Sequence, residues 1–238
     1  MTLFVACGNI QQPYPLQDIP ADLFTDELLL LPNGNPRVRQ RHRCRWVAHF
    51  LLWELLKKAQ INTALLGRIY RTAAGRPQFP IPHIDFNISH CGDWVAVILQ
   101  IGDQHQHSVV GIDIEYAQKA RNYTALLGHF ASECEQQWFL RQQDAAGSFY
   151  RIWCLREAVL KSQGVGIVKL SEVRHDPLNL SLHSAYCPRG QLLFSAQFPF
   201  YLAFFTNFGF AALQCFRWDG EGLAAEKLQH PLIYSVNY

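Results

Sequence analysis

The sequence predicts an α+β fold. Short apolar segments rich in β-branched residues, at 95–99 and 110–115, have the composition of buried strands. Two longer segments, 46–56 and 149–163, have the spacing of apolar and charged residues that is typical of helices. The remaining strand-like segments crowd between residues 168 and 216 and do not alternate regularly with helices. This order favours an α+β fold over a doubly wound parallel sheet.

Composition indicates an ordered globular protein of modest charge. The chain has 238 residues, of which 49% are hydrophobic and 17% charged. That is enough apolar material for a sizeable core, in one large domain or two small ones. The net charge of +2 is no polybasic signature, so we expect no nucleic-acid partner.

Two further patterns concern the compartment. The seven cysteines are scattered and none forms a C-x-x-C pair, which indicates reduced thiols in a cytoplasmic protein. No segment reaches the roughly 20 apolar residues of a membrane span. The start of the chain lacks the basic region of a signal peptide and is expected to form a strand. We therefore expect no membrane association.

The first part of the chain is expected to hold a strand at 2–6, a short apolar segment at 23–31 with helical character, and the helix at 46–56. A breaker cluster at 32–36 follows the apolar segment. Five arginines then alternate with other residues and lead into that helix, on which Arg41 and Arg45 would share a face: Arg37, Arg39, Arg41, Arg43 and Arg45. Arginines in a first helical turn oppose the helix dipole unless an anion lies there. The run therefore predicts either a phosphate clamp or a solvated basic face.

Polar residues surround the next predicted strand. A connector contains Gly-Arg-Pro at 75–77, in which glycine permits close backbone approach and Arg76 adds a cation. Ser89 and His90 lie at a turn or strand end just before strand 95–99. His90 suits a general base or a phosphate contact, and a structural role is the competing interpretation.

The polar stretch 100–108 predicts a boundary between two parts of the chain, residues 1–108 and 109–238. The elements expected in the second part are, in order, strand 110–115, helices 123–140 and 149–163, a glycine-rich helix end at 164–167, and strands up to 216.

Acidic residues in the second part predict a metal site. Asp113 and Glu115 are two residues apart and therefore project on the same face of their strand. Glu157 lies on the later helix, four residues before Lys161. Three carboxylates suit Mg²⁺, which takes oxygen ligands and shares them with substrate phosphates. The competing interpretation is a solvated strand face beside an ordinary helical ion pair.

Three motifs occur in a fixed order: Phe-Asn-Ile-Ser-His at 86–90, Gly-Ile-Asp-Ile-Glu at 111–115 and Trp-Cys-Leu-Arg-Glu-Ala-Val-Leu-Lys at 153–161. With Gly-Arg-Pro before them, the stretch 37–167 resembles the Sfp-type (AcpT-like) superfamily of 4′-phosphopantetheinyl transferases. The resemblance implies two similar α+β halves related by a pseudo-twofold axis, with the active site between them. The first half would meet the 3′-phosphate of coenzyme A, and the second half would hold the metal and meet the carrier protein.

The implied reaction transfers the phosphopantetheine arm of coenzyme A to a serine of an apo acyl or peptidyl carrier protein. Adenosine 3′,5′-bisphosphate is the other product, and Mg²⁺ is the cofactor. A monomer is the expected state. Such chemistry is largely positioning and charge neutralisation, which agrees with a carboxylate cluster and an arginine run in one chain.

The motif positions imply roles for individual residues. The metal ligands are Asp113, Glu115 and Glu157, and Glu157 is also the candidate base for the carrier serine. The other residues implied to meet coenzyme A are Arg41, Arg45, Arg76, Ser89, His90 and Lys161, of which His90 and Lys161 are also assigned to catalysis. Glu135 matches an acidic residue on the intervening helix.

Three positions depart from the family pattern. Arg156 replaces a lysine before the glutamate, which puts a proton-transfer role there in doubt because arginine stays protonated. Cys91 replaces a serine, and His49 replaces a small glycine. Two other functions compete with the transferase: a Mg²⁺-dependent phosphodiesterase that uses the same carboxylates, and a non-catalytic module that binds an anionic partner.

Overall fold

The computed structural model describes residues 1–24, 26–30, 34–118 and 121–238, and only the backbone of residues 26 and 27. The predicted α+β class is confirmed. The helices are α1 (Asp26–Leu29), α2 (Pro36–Lys58), α3 (Tyr123–Leu127), α4 (Glu133–Leu140) and α5 (Ala145–Ser162). Short 3₁₀ turns lie at Leu16–Asp18, Ala21–Leu23, Thr63–Arg68 and Ile167–Glu172.

The strands form two large sheets and one small ladder. They are β1 (Thr2–Asn9), β2 (Tyr70–Arg71), β3 (Pro77–Gln78), β4 (Ile84–Cys91), β5 (Trp94–Ile101), β6 (Val110–Glu115), β7 (Arg174–Asp176), β8 (Ser181–His183), β9 (Gly190–Ser195), β10 (Tyr201–Thr206), β11 (Leu213–Trp218), β12 (Leu223–Glu226) and β13 (Leu232–Val236). The five-stranded sheet has the order β12-β11-β1-β5-β4, and the six-stranded sheet has the order β6-β10-β9-β13-β8-β7. Strands β2 and β3 form the small ladder.

Each large sheet carries one long helix. Helix α2 packs on the five-stranded sheet, here the first sheet, and α5 packs on the six-stranded sheet, here the second. Each of these contacts forms one apolar cluster, and a third apolar cluster lies between the two sheets. Strand β1 shows how one element serves two clusters: Phe4 and Ala6 face α2, whereas Leu3 and Val5 face the second sheet. Because successive side chains of a strand point to opposite faces, a strand buried on both faces is apolar throughout.

The two sheets do not correspond to a simple division of the chain into an earlier and a later part. After β10 the chain returns to the first sheet, where β11 pairs in parallel with β1 and β12 forms the edge. The division at residue 108 and the pseudo-twofold axis stay predictions. In the part of the chain that the structure describes, no helix is long and apolar enough to cross a membrane.

Helix α2 begins ten residues before the predicted segment. The side chain of Asn35 accepts a hydrogen bond from the backbone of Arg37, and Pro36 occupies the first helical turn. Both are helix-start signals. The arginine run therefore lies inside the helix. Residues 31–33, where the apolar segment and the breaker cluster were expected to meet, lie outside the described residues, as does Thr25.

The single helix predicted at 123–140 is wrong, because the chain forms two short helices there. Helix α3 ends at Gly128, and α4 begins with a capping box in which Ser132 and Glu135 satisfy each other's backbone N–H groups. The predicted end of α5 is confirmed. Gly164 has a φ of +70°, and Val165 donates to the carbonyl of Leu160 in a Schellman motif.

Candidate active site

Strands β4 and β6 bring Ser89 and Asp113 together, and α5 adds Lys161. The Lys161 ammonium donates to Asp113 Oδ1 at 2.6 Å and to Ser89 Oγ at 2.9 Å. The Ser89 hydroxyl donates to the same Asp113 oxygen at 3.1 Å. Although burial opposes the charge, Asp113 raises the pKa of Lys161, so the lysine stays protonated. Three residues predicted separately thus form one contact group.

Glu157 lies one helical turn before Lys161 and is 7% exposed. Burial and the negative charges of Asp113 and Glu115 outweigh the effect of Lys161 and raise the pKa of Glu157 to about 7. Burial and Asp113 also raise the pKa of Glu115, whose carboxylate accepts a hydrogen bond from the Cys91 thiol at 3.4 Å. Asp113 is therefore close enough to disfavour the charge of both glutamates, and Glu115 that of Glu157.

The donor set fits Mg²⁺ in chemistry, although it is not gathered into a compact triad. Within the described residues, no three His, Cys, Asp or Glu side chains form a ready metal-binding group. Asp113 Oδ2, however, is buried without a hydrogen-bond partner. A buried carboxylate oxygen without a partner is costly unless a cation or donor meets it. The carboxylates offer the oxygen ligands that Mg²⁺ prefers.

A cavity of about 140 Å³ lies between α2 and β4. Arg45, His49 and His90 are among its lining residues. Desolvation and the positive charges of Lys161, Arg41 and Arg45 lower the pKa of His90. The arginine face of α2, formed by Arg41 and Arg45, thus lies in one positive field with Lys161 around His90. This field suits a ligand with several negative charges.

Arg76 is buried in an ion pair with Asp85. It is 4% exposed and donates to both carboxylate oxygens of Asp85, at 2.9 and 2.7 Å. It also donates to the backbone carbonyls of Phe86, Val110 and Lys161. Its guanidinium therefore ties the first sheet to β6 and α5. This geometry does not favour the predicted contact between its side chain and coenzyme A.

Glu135 and Arg156 form a separate buried network. Arg156 donates to Glu135 Oε2 at 2.7 Å and to the carbonyl of Leu170, and His175 Nδ1 lies 2.9 Å from Glu135 Oε1. Arg156 is fully buried. The departure from lysine at this position therefore concerns the packing of α5 against α4 and β7. The structure does not bring Glu135 together with Asp113 and Glu157.

Two features of the site are not among the predictions from sequence, the buried environment of His49 and the polar face of β4. His49 is buried with Nε2 unpartnered, and desolvation lowers its pKa to about 4, so it is neutral beside the cavity. Polar side chains also alternate with apolar ones along residues 84–89 of β4: Asp85, Asn87 and Ser89. That period of two was readable and indicates one polar face on a buried strand.

A cluster of carboxylates beside a lysine, next to an arginine-lined cavity, suits an enzyme that binds and transfers phosphate groups. The model of the 4′-phosphopantetheinyl transferase superfamily matches residues 109–208. A Haemophilus influenzae protein, provisionally named a 4′-phosphopantetheinyl transferase, is 51% identical over 237 residues, which cover 100% of both chains.

Two more distant relatives match part of the chain. The 4′-phosphopantetheinyl transferase psf-1 of Bacillus pumilus is 33% identical over 117 residues, 45% of this chain and 47% of that one. The human L-aminoadipate-semialdehyde dehydrogenase-phosphopantetheinyl transferase is 31% identical over 136 residues, 50% of this chain and 42% of that one. The chain belongs to the 4′-phosphopantetheinyl transferase superfamily, which confirms the predicted family and class of enzyme. The hydrolase and binding-module alternatives are not favoured.

Proposed function

We propose that this chain transfers the 4′-phosphopantetheine arm of coenzyme A to a serine of an apo carrier protein and releases adenosine 3′,5′-bisphosphate. The observation that best supports this is the contact group of Lys161, Ser89 and Asp113 beside the arginine-lined cavity. Coenzyme A has a pyrophosphate and a separate 3′-phosphate. The contact group of Lys161 suits the pyrophosphate, and the arginines beside the cavity suit the 3′-phosphate.

Glu157 is proposed as the general base. A serine hydroxyl is a weak nucleophile unless a positioned group accepts its proton. A pKa of about 7 lets Glu157 hold a proton briefly and release it near neutral pH. Lys161 and His90 are proposed to neutralise charge on the pyrophosphate, with Ser89 as a hydrogen-bonding partner.

Asp113, Glu115 and Glu157 are the residues that would hold Mg²⁺. When bound, the ion would supply charge neutralisation at the pyrophosphate. Arg41 and Arg45 are proposed to bind the 3′-phosphate, because their charges already reach His90 across the cavity. A cytoplasmic, monomeric protein that binds neither nucleic acid nor membrane remains part of the proposal.

Carrier docking is proposed at the segment 164–171, after α5. Ile167 and Val168 are 57% and 83% exposed, and they border a groove that includes Trp153. Trp153 lies four residues before Glu157 on the same helix, so the groove begins one turn from the proposed base.

The docking proposal predicts a defect confined to the carrier. Val168→Glu should raise the KM for the carrier about tenfold, as the loss of a central apolar contact does, and leave the KM for coenzyme A unchanged. Leu178→Glu is the matched control, because Leu178 is 78% exposed in a turn elsewhere. Equal effects of the two substitutions would argue against this surface.

The function itself is tested by incubating the protein with coenzyme A, Mg²⁺ and a panel of apo carrier proteins, each then weighed intact by mass spectrometry. We expect at least one carrier to gain one phosphopantetheine arm, and EDTA to prevent the gain. A protein that binds coenzyme A and hydrolyses it without any carrier would favour the phosphodiesterase alternative.

A further inference from the structure

The edges of the two large sheets meet along a ladder of hydrogen bonds from backbone to side chain. Every second residue of β4 accepts a bond from a backbone N–H on or just after β6, always 25 positions later in the chain. The four pairs are Asp85 with Val110 at 2.9 Å, Asn87 with Ile112 at 3.1 Å, Ser89 with Ile114 at 3.2 Å and Cys91 with Tyr116 at 3.3 Å. The ladder pairs N–H groups that an edge strand otherwise leaves open.

Asn87 differs from the other three residues because its second hydrogen bond goes to the backbone at the end of α5. While Oδ1 accepts from Ile112, Nδ2 donates to the backbone carbonyl of Lys161 at 3.4 Å. The last carbonyls of a helix lack partners within the helix, and Arg76 Nε donates to the same oxygen at 3.1 Å. Lys161 is thus held by its backbone carbonyl here, and its side-chain ammonium contacts Ser89 and Asp113.

We propose that Asn87 is a positioning residue of the active site, which sets the register of β4 against β6 and fixes the end of α5 at Lys161. The inference rests on the proposed function. Asn87 is 5% exposed with both polar atoms bonded, so it acts through other residues and does not touch substrate. Each strand residue rises about 3.3 Å, so a slip of one position would separate Ser89 from Asp113.

Two substitutions divide the roles of the amide. Asn87→Asp keeps an acceptor for Ile112 and removes the donor to Lys161, whereas Asn87→Ala removes both. Asn207→Ala is the matched control, because Asn207 Oδ1 accepts from the backbone of Val109 at 2.9 Å just before β6. Asn207 donates to the carbonyl of His107 and has no contact with Lys161 among the described hydrogen bonds.

Both Asn87 variants should lower kcat about 10- to 100-fold, as loss of an orienting hydrogen bond around a metal site does, without raising the KM for coenzyme A. They should also raise the Mn²⁺ concentration that half-saturates the free protein, measured by electron paramagnetic resonance. Asn207→Ala should lower the melting temperature and change neither quantity.

Asn87 variants that lose only stability, as Asn207→Ala is expected to do, would overturn the proposal. If Asn87→Ala does not fold, Asn87→Asp decides, since it retains the ladder acceptor. A wild-type protein that binds Mn²⁺ and modifies no carrier would contradict the proposed function instead. The Mn²⁺ titration of the variants then still tests the role of Asn87.

Discussion

At the scale of single residues, the carboxyl of Glu157 has a pKa of about 7, raised by burial and by Asp113 and Glu115. A base must be ionised to accept a proton, so kcat/KM should fall as the pH drops below about 7. A bound cation favours the ionised carboxylate, so raising the Mg²⁺ concentration should move this acid limb to lower pH. The measurement is a set of pH–rate profiles at several Mg²⁺ concentrations.

Substitutions test the same carboxylates directly. Glu157→Gln should lower transfer about 10²- to 10⁴-fold, the usual contribution of a general base, and Asp113→Ala should also lose most activity. Both should keep the wild-type circular dichroism spectrum. Near-normal carrier modification by either variant would remove its residue from the site, and an acid limb that persists in Glu157→Gln would belong to another group.

The arginine face supports a prediction about one phosphate. Arg45→Ala should raise the KM for coenzyme A about 10- to 100-fold, since a charge-assisted hydrogen bond contributes roughly 1.5–3 kcal/mol. The effect should be smaller with 3′-dephospho-coenzyme A. Arg39→Ala is the control, because Arg39 lies on another face of α2 and is exposed. Equal losses with both substrates would contradict binding of the 3′-phosphate by Arg45.

Sequence spacing predicted part of this residue-scale picture. Asp113 and Lys161 lie on a strand and a helix of regular period, so their faces were readable before the structure. The surroundings of Arg76 and Glu135 were not readable. Arg76 is buried by Asp85 and Val110, and Glu135 by His175, and these contacts depend on how distant segments pack.

At the scale of elements, Glu135 connects α4 to α5 and β7. Burial alone would raise the pKa of Glu135. The hydrogen bond from His175 and the charge of Arg156 outweigh burial and lower this pKa to about 2. A lowered carboxyl pKa contributes stability above its unfolded value, about 4.5, and that stability is lost as the pH falls towards 2. The network therefore stabilises the fold at neutral pH.

Glu135→Gln should lower the free energy of unfolding by about 3–5 kcal/mol at pH 7, because it leaves Arg156 buried without a carboxylate. The difference from wild type should shrink below pH 4.5 and vanish near pH 2. Urea titrations across this range provide the measurement. Glu133→Gln, at an exposed position of the same helix, is the control. A difference that does not depend on pH would contradict the ionised pair.

Element boundaries show which local signals were informative. The asparagine–proline pair at 35–36 belongs to the predicted breaker cluster, but the same residues begin α2. The Ser-x-x-Glu pattern at 132–135 marks the start of α4 inside a segment predicted as one helix. In both places the apolar pattern alone did not decide where a helix begins, and the capping residues did.

At the scale of the whole molecule, the order of the strands in the sheets could not be predicted from the sequence. The class α+β follows from the sequence of elements, but no local pattern indicates that residues 213–226 return to the sheet of β1. Cys215 of β11 lies in the apolar cluster between the sheets, which also joins Leu3 and Val5 to Val110 and Ile112. The two sheets thus share a core as well as a hydrogen-bond ladder.

A shared core and ladder should make the protein unfold as one unit. Asp85→Ala removes the carboxylate that pairs with buried Arg76, so it should cost about 3–5 kcal/mol of unfolding free energy. Protection of backbone amides against hydrogen exchange should fall together in β5 of the first sheet and β9 of the second, although Asp85 belongs to the first sheet and contacts the second at β6. Asp103→Ala, in the exposed loop after β5, is the control. Separate transitions for the two sheets would instead support independent folding on either side of residue 108. A single transition would mean that the two sheets unfold together and that the ladder between β4 and β6, which holds the site together, is lost with them.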